Sequence, residues 1–565
     1  MLRIFGFYNF NRASKDIIFR MRKNFEIKSK FTKFISFDQG NIFLDYEMVN
    51  SKESENFYFI DKDRQIACFI TGNIYAYENN RLELLQGKNI AKMIAARFKK
   101  GDLFDSLKYF RGEFNIIIVD KKQLFLINDT LGLSPMYTYR SKEGILFSNQ
   151  AEPIIWMDED NHIDYSSIAE LLVYGFVPNG KTFIRGLNNQ PPGTAIGVDK
   201  SRVSVNKYAR FKRMKGKEAI QRQKIKIANE VFNEAVRIRA NKGRVFSDLT
   251  GGWDTRFVLA NLVGSNKNIT LFTEDLFKED VVISKEIAEK FNLEHIMWNP
   301  SMVGTEKQEN YGFKFKLRQT IPDDSPDNIS NKSLSYLTRV KFFTSPRFTG
   351  LFGTSLMGRL PDWFRRKITQ EFIPVSTKTF TTHFLSKLHS SPYRKPFPGF
   401  KINSNLSEWV YLFLTQIGRS YLSVLYDSWK RPAYFFSYLF LHPFADSKLI
   451  SLLCSLDYDK DMYYRLYTKI YKRYYPEYLN IPWTDEKYRI KSNFKRPVPA
   501  KGPSNIYKLS INDEKFKEFL KTNLVVYKTK DNIFSGLKEL YLIFKWLEVY
   551  GPVLHESEIE SLIGK

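Results

Sequence analysis

Residues 247–256 read Ser247-Asp248-Leu249-Thr250-Gly251-Gly252-Trp253-Asp254-Thr255-Arg256. A short β-rich run, Arg244 to Ser247, precedes this segment, and an apolar helical run, Arg256 to Val263, follows it. Further on, Asn268 to Thr273 reads as a strand. Val281 to Phe291 reads as a helix with Ile283, Ile287, Ala288 and Phe291 on one face, and His295 to Trp298 as another strand. Upstream, between about Lys215 and Ala240, Ile225, Ile227, Val231, Phe232 and Val236 fall at helical spacing. Strands alternating with short helices predict a parallel sheet covered on both faces. In that setting the glycine pair predicts an anion seat. Two glycines let the backbone adopt positive φ and approach a phosphate closely. The helix N-terminus adds unpaired N–H groups and a partial positive charge. Thr250 and Thr255 offer hydroxyl donors, and Asp254 offers a carboxylate for Mg²⁺. The plainer reading of the same residues is a tight turn with Asp254 as a helix cap.

The first 200 or so residues follow another pattern. Gln65 to Tyr75 reads as a strand interrupted at Thr71-Gly72-Asn73. Glu113 to Val119 and Gln123 to Ile127 read as a hairpin turning at Asp120-Lys121-Lys122, and Gly144 to Ser148 as a third short strand. Tyr165 to Tyr174 predicts a helix, and Asn189 to Gly193 stops regular structure. Gly304 to Lys332 is polar and reads as a loop or insertion, while Ser407 onward reads mostly helical. Gly175 to Thr182 fits G-x-x-x-x-G-K-[ST] letter for letter. A phosphate loop of that kind needs a strand before it and a helix after it. Here a helix precedes and Pro191-Pro192 follows, so the segment reads as a loop between domains.

The 565-residue chain carries 87 Lys+Arg against 61 Asp+Glu, a net +26. Its 43% hydrophobic and 16% aromatic content excludes disorder as the main state. Two cysteines, Cys68 and Cys454, and six histidines exclude a disulfide scaffold, a Cys-rich zinc site and a multi-His centre. Both cysteines sit in apolar runs and read as core residues. Met1 to Arg20 is interrupted by charge and lacks a signal-peptide core. The greasiest stretch, Trp429 to Phe444, is broken at Pro432 and Pro443 and falls short of a span. A cytoplasmic protein without a membrane span is expected. Basic residues are dispersed over Lys99-Lys100, Arg210 to Lys217, Arg365 to Lys367 and Lys469 to Arg473. That argues against nucleic acid as the partner and leaves a homo-oligomer open.

Residues 250–255 resemble the ATP-pyrophosphatase loop Ser-Gly-Gly-x-Asp-Ser of asparagine synthetases and their relatives, with Thr250 and Thr255 in place of the serines. The resemblance runs through most of the chain. Met1 to Phe7, Thr71 to Tyr75, Arg111 to Phe114, Asn128 to Tyr137 and Phe147 to Ala151 match family segments in order. So do Thr182-Phe183 with Gly186 and Pro191-Pro192-Gly193, Ile269 to Thr273, Lys278 to His295, and Pro443-Phe444-Ala445-Asp446. The resemblance implies an α/β protein. An N-terminal nucleophile-hydrolase-like αββα glutaminase sandwich would span about 1–200, and a parallel-sheet ATP-pyrophosphatase domain 215–565. The latter would have a nucleotide core at about 240–360 and a helical extension at about 405–565.

It further implies ATP and Mg²⁺ as cofactors. Thr250, Gly251, Gly252 and Thr255 would hold pyrophosphate, Asp254 the metal, and Phe272 and Thr273 the adenosine. Gly350 belongs to the second phosphate segment. Arg465 or Lys469, spaced i,i+4 on a predicted helix, would be the catalytic cation beside pyrophosphate, the plainer alternative being a solvated basic face. The departures are specific. Leu2 replaces the glutaminase cysteine, and Thr71 and Asn73 alter its pocket. Leu351, Thr354 and Ser355 replace carboxylates or a tyrosine of the second phosphate segment. The expected function is an AMP-forming amide ligase without glutaminase activity. Its partners would be a carboxylate-bearing small molecule or peptide and an amine. The amine would be free ammonia or a group on the substrate itself, as in β-lactam synthetases and lasso-peptide cyclases. The alternative is a catalytically degenerate relative acting as a binding or scaffold protein. Enzymes of tRNA modification use similar Gly-Gly-x-Asp loops but lack this N-terminal domain.

Overall fold

The computed structural model describes residues 3–9, 32–39, 42–49, 57–61, 63, 66–78, 81–84, 90–120, 122–157, 161–174, 176–199, 202–209, 217–240, 243–265, 268–275, 278–298, 346–353, 356, 413–418, 440–456, 465–484, 514–515, 543–544, 546–547 and 554–555. Leu2, Thr354, Ser355 and the polar stretch Gly304 to Lys332 lie outside them.

The chain begins with β1 (Arg3–Asn9), β2 (Thr32–Gln39), β3 (Ile42–Val49), β4 (Tyr58–Ile60), β5 (Ile66–Gly72), β6 (Tyr75–Glu78) and β7 (Arg81–Leu84). Helices α1 (Ile90–Lys100) and α2 (Leu103–Ser106) lead to β8 (Phe114–Asp120), β9 (Leu124–Asn128), β10 (Tyr137–Arg140) and β11 (Gly144–Ser148). Then come α3 (Glu152–Ile155), α4 (Tyr165–Tyr174), β12 (Leu187–Asn189), β13 (Thr194–Val198) and β14 (Val203–Lys207). The strands form two six-stranded sheets, ordered β12-β10-β11-β1-β3-β2 and β14-β13-β9-β8-β5-β4, with β6-β7 a separate ribbon.

Strands β5 and β8 are apolar at successive positions because both of their faces are covered. Ala67, Phe69, Ile117 and Val119 enter the core between the sheets, with Ile4, Leu44 and Phe147. Ile66, Cys68, Ile70, Ile116 and Ile118 point the other way, against Ile90, Ala91 and Ile94 of α1 and Leu103 of α2. The β8–β9 hairpin is set by Asp120, whose Oδ1 accepts from the N–H groups of Lys122 and Gln123, each at 2.8 Å. The break after β5 needs glycine. Gly72 has φ +86, and a Cβ there would lie 2.0 Å from the Glu113 carbonyl oxygen.

The second half contains α5 (Lys217–Arg237), β15 (Val245–Asp248), α6 (Trp253–Val263), β16 (Ile269–Glu274), α7 (Lys278–Lys290) and β17 (Glu294–Trp298). It continues with β18 (Arg347–Phe348), β19 (Phe440–Leu441), α8 (Ser447–Leu453) and α9 (Arg465–Tyr474). Helix α5 is kinked at Gln223. The five strands order as β17-β16-β15-β18-β19, and every neighbouring pair is parallel. The chain runs outward from β15 to β17, then returns to the other side at β18. Strand order therefore reverses between β15 and β18, where an open α/β sheet leaves a crevice at the carboxyl ends. One core joins Val245, Leu271 and Phe348 of the sheet to Phe232, Phe257, Ile287, Leu449 and Ile470 of the helices. Among the described residues no helix is long and apolar enough to cross a membrane.

Buried ion pairs join the two halves. Arg111 donates from Nε to Asp446 Oδ2 at 2.9 Å and from Nη1 to Glu234 Oε1 at 2.8 Å, while its Nη2 lies 2.7 Å from Asp446 Oδ1. Arg239 donates to Asp446 Oδ2 at 3.0 Å and lies 3.6 Å from Glu113 Oε1. Burial pushes the Asp446 carboxyl up, but Arg111 and Arg239 outweigh it and hold the carboxyl below its usual range. Glu113 goes the other way. Burial outweighs Arg239 and raises it from 4.5 to about 7. The unfolded chain therefore releases this proton first as pH rises, and Glu113 withdraws stability between pH 4.5 and about 7. Glu113→Gln is expected to flatten that part of the stability profile. Thermal unfolding from pH 4.5 to 8 checks it, and an unchanged slope in the variant would contradict the assignment.

Candidate functional site

Leu249 continues the line of β15. Its N–H donates to the Phe272 carbonyl at 2.9 Å, and its carbonyl accepts the Thr273 hydroxyl at 2.7 Å. His295 Nε2 lies 2.9 Å from that hydroxyl; burial and Lys285 hold the imidazole below its usual range, hence neutral. Thr273 thus pins the start of the loop. The Phe272 ring is buried, with the Arg347 guanidinium 4.3 Å from its centre. Arg347 in turn pairs with Asp248.

In the loop, Thr250 N–H donates to Thr255 Oγ1 at 3.1 Å, and the two hydroxyl oxygens are 3.0 Å apart. Gly252 N–H donates to Thr250 Oγ1 at 3.2 Å, and Gly251 N–H to Asp280 Oδ1 at 2.7 Å. The expected positive φ is not adopted: Gly252 has φ −79, and Gly251 also lies outside the left-handed region. Space explains Gly251 instead. A Cβ there would sit 2.4 Å from Thr484 Cγ2 and 2.8 Å from Ile283 Cδ1. At Gly252 the nearest atom would be Thr250 Oγ1, at 3.3 Å, a contact that local adjustment relieves.

Asp254 lies in the first turn of α6, and its Oδ1 accepts the Tyr467 hydroxyl at 2.7 Å. The segment after β18 closes on it from the other side. A Cβ on Gly350 would lie 2.8 Å from the Thr255 nitrogen, and one on Gly353 2.4 Å from Asp254 Cγ. Both glycines are therefore fixed by the close approach of two loops. Those loops leave the carboxyl ends of β15 and β18, on either side of the reversal in strand order, and they meet at Asp254.

Arg465 and Lys469 lie on the exposed side of α9, whose buried face carries Leu466, Tyr467, Ile470 and Tyr471. From that buried face Tyr467 reaches Asp254. The regular spacing of these apolar and aromatic residues was the available signal. No such signal marks Arg256. Fully buried, it donates to the carbonyls of Ile481 at 3.0 Å, Pro482 at 2.6 Å, Gly251 at 3.3 Å and Tyr478 at 3.4 Å. Its guanidinium stacks 3.6 Å from the centre of Trp483, and Thr484 N–H donates to the Gly251 carbonyl at 3.2 Å. The downstream segment is thereby locked onto the glycine loop.

The other phosphate-loop lookalike follows α4, and its Lys181 Nζ lies 2.8 Å from Glu170 Oε1. Thr182 donates to the Leu187 carbonyl at 2.9 Å. The next element after it is β12, a strand and not a helix, so it lacks the helix N-terminus that a phosphate cradle of that type needs.

Residues 1–209 match the glutamine amidotransferase domain family. A putative asparagine synthetase [glutamine-hydrolyzing] 2 from Methanocaldococcus jannaschii is 26% identical over 205 residues. The chain is thus similar to an asparagine synthetase over about a third of its length. The match covers 34% of this chain and 39% of the archaeal protein. Two solved structures overlap it loosely. A glutamine phosphoribosylpyrophosphate amidotransferase from B. subtilis, complexed with ADP and GMP, gives TM-score 0.25 at 8% identity over 52% of this chain and 65% of that one. An allosteric regulatory enzyme of purine biosynthesis gives 0.26 at 7% over 53% and 80%.

Proposed function

We propose that the chain is an ATP-dependent, AMP-forming amide ligase. The observation that carries this is the convergence of two strand-end loops on Asp254 at the reversal of strand order. A substrate carboxylate oxygen would attack the α-phosphorus of ATP, and the bond to pyrophosphate would break. An amine would then attack the acyl carbon and release AMP. Residues Thr250 to Thr255 would seat pyrophosphate at the start of α6, with Arg465 and Lys469 as the nearby cations of α9. Among the described residues no group of three or more His, Cys, Asp or Glu is placed to hold a metal. Asp254 suits Mg²⁺ because that ion takes one or two carboxylates and completes its shell with phosphate and water. Glutamine hydrolysis is absent in this reading, because Leu2 offers no nucleophile. Cys68 offers none either, since burial pushes its thiol far up and keeps it protonated.

Calorimetric titration with Mg·ATP, followed by assay of AMP and pyrophosphate against carboxylate and amine mixtures, tests the proposal. Heat with ATP and substrate-dependent release of both products are expected. Lys181→Ala is expected to leave the ATP affinity unchanged. A large loss would restore the lookalike as a site.

A second reading, a binding or scaffold relative without catalysis, is favoured by one observation. Asp280 already takes the Gly251 N–H that a phosphate would need, and burial raises its carboxyl. Under the ligase reading, Asp280→Ala frees that N–H and removes a negative charge, so ATP should bind several-fold more tightly. No ATP binding by either protein would support the scaffold.

A further inference from the structure

We propose that Arg111, from the N-terminal sandwich, is a positioning residue for the second nucleotide loop, acting through Asp446, His442 and Thr349. The proposal gives the sandwich a task in the ligase reaction and rests on that reading only for its nucleotide arm.

The connection is continuous and buried. Arg111 grips both carboxylate oxygens of Asp446, at 2.9 and 2.7 Å. Asp446 Oδ1 also caps α8, accepting from the N–H groups of Lys448 at 3.0 Å and Leu449 at 3.3 Å. The turn before it is closed by hydrogen bonds from Asp446 N–H to the Pro443 carbonyl at 3.3 Å and from Ala445 N–H to the His442 carbonyl at 3.0 Å. His442 Nδ1 then lies 2.8 Å from Thr349 Oγ1. Burial, with Arg239 adding to it, lowers His442 to about 3, so the ring is neutral across the working range. Thr349 is held a second time, its N–H donating to the Leu441 carbonyl at 3.0 Å, and its hydroxyl accepts from Leu351 N–H at 3.3 Å. Gly350 and Gly353 press on Thr255 and Asp254 immediately beyond.

The side chains that carry the connection are fully or nearly fully buried: Arg111 is 4% exposed, Asp446 0%, His442 1% and Thr349 8%. Packed interiors transmit displacement rather than absorb it. Losing the two-point grip of Arg111 leaves Asp446 to Arg239 and the N–H groups of Lys448 and Leu449, and the turn from His442 to Asp446 loses its tie to the sandwich. The described side-chain bonds of Arg111 go to Asp446 and Glu234 rather than to either loop, so its effect is indirect.

Amide hydrogen exchange reads the device without any nucleotide. In Arg111→Met, the amides of Leu351 and Gly353 are expected to exchange about tenfold faster. Glu234→Gln severs the other ion pair of Arg111 and should leave those amides unchanged. His442→Ala should speed them, and the double variant Arg111→Met with His442→Ala should add little beyond His442→Ala alone. If the ligase reading holds, the affinity for Mg·ATP falls about tenfold in Arg111→Met. Should wild-type protein bind no ATP, the ligase reading fails while the exchange result still decides this one. A lower unfolding temperature with unchanged exchange at Leu351 and Gly353 would reduce Arg111 to a docking contact and overturn the proposal. If Arg111→Met fails to fold, Arg111→Lys, which keeps the charge but not the fork, carries the same comparison.

Discussion

Asp254→Asn is expected to remove the Mg²⁺-dependent part of ATP binding and to lower ligation by a factor of about 10²–10³. Asp254 is the carboxylate on which both loops close, and the Asn side chain keeps its volume while losing its charge. The ATP affinity of the variant, measured by calorimetry with Mg²⁺ and then with chelator, should be the same in both. Tyr467→Phe is the companion experiment. It deletes the hydroxyl 2.7 Å from Asp254 Oδ1 but leaves the carboxylate, so a loss of about 1 kcal/mol is expected. If Mg²⁺ strengthened ATP binding as much in Asp254→Asn as in wild type, the metal assignment would be wrong.

The second large effect concerns stability. Arg256→Met is expected to cost about 3–5 kcal/mol, since it removes a charged donor from four carbonyls, of which Gly251 keeps the Thr484 N–H. Burial lowers Arg256 to about 10, which still leaves it charged at neutral pH. The environment tolerates the charge because the carbonyls and the Trp483 face surround it. Arg256→Lys should recover less than half of the loss, because an ammonium cannot span a forked set of acceptors. Denaturant unfolding followed by circular dichroism measures both. A cost under about 1 kcal/mol for Arg256→Met would mean that the segment from Tyr478 to Thr484 holds itself in place.

The elements around the glycine loop were legible because their apolar residues are periodic. Ile283, Ile287 and Ala288 are buried on one face of α7, as the spacing required. The chain from Arg244 to Trp298 folds as strand, loop, helix, strand, helix and strand in the order read. The motifs Arg111-Gly112-Glu113 and Pro443 to Asp446 were each visible, but not that one grips the other. Their contact joins residues 335 apart. Single polar pairs at such separations leave no period, and the same holds for Arg256 and residues 478–482. The glycine loop shows the complementary limit. Its residue types suit either backbone freedom or tight approach, and only the neighbours, Thr484 and Ile283, distinguish the two.

The indole rings of Trp253 and Trp483 stack with centroids 3.9 Å apart and planes at 13°. Trp253 is the residue before Asp254, while Trp483 is tied through Arg256 to the glycine loop. Two chromophores held that close are electronically coupled, and the coupling depends steeply on their separation and tilt. The near-ultraviolet circular dichroism and tryptophan emission of the unlabelled protein thus form an intrinsic optical gauge at the site. Events that pry the downstream segment from the loop, whether ligand entry or a substitution, become visible without any added probe.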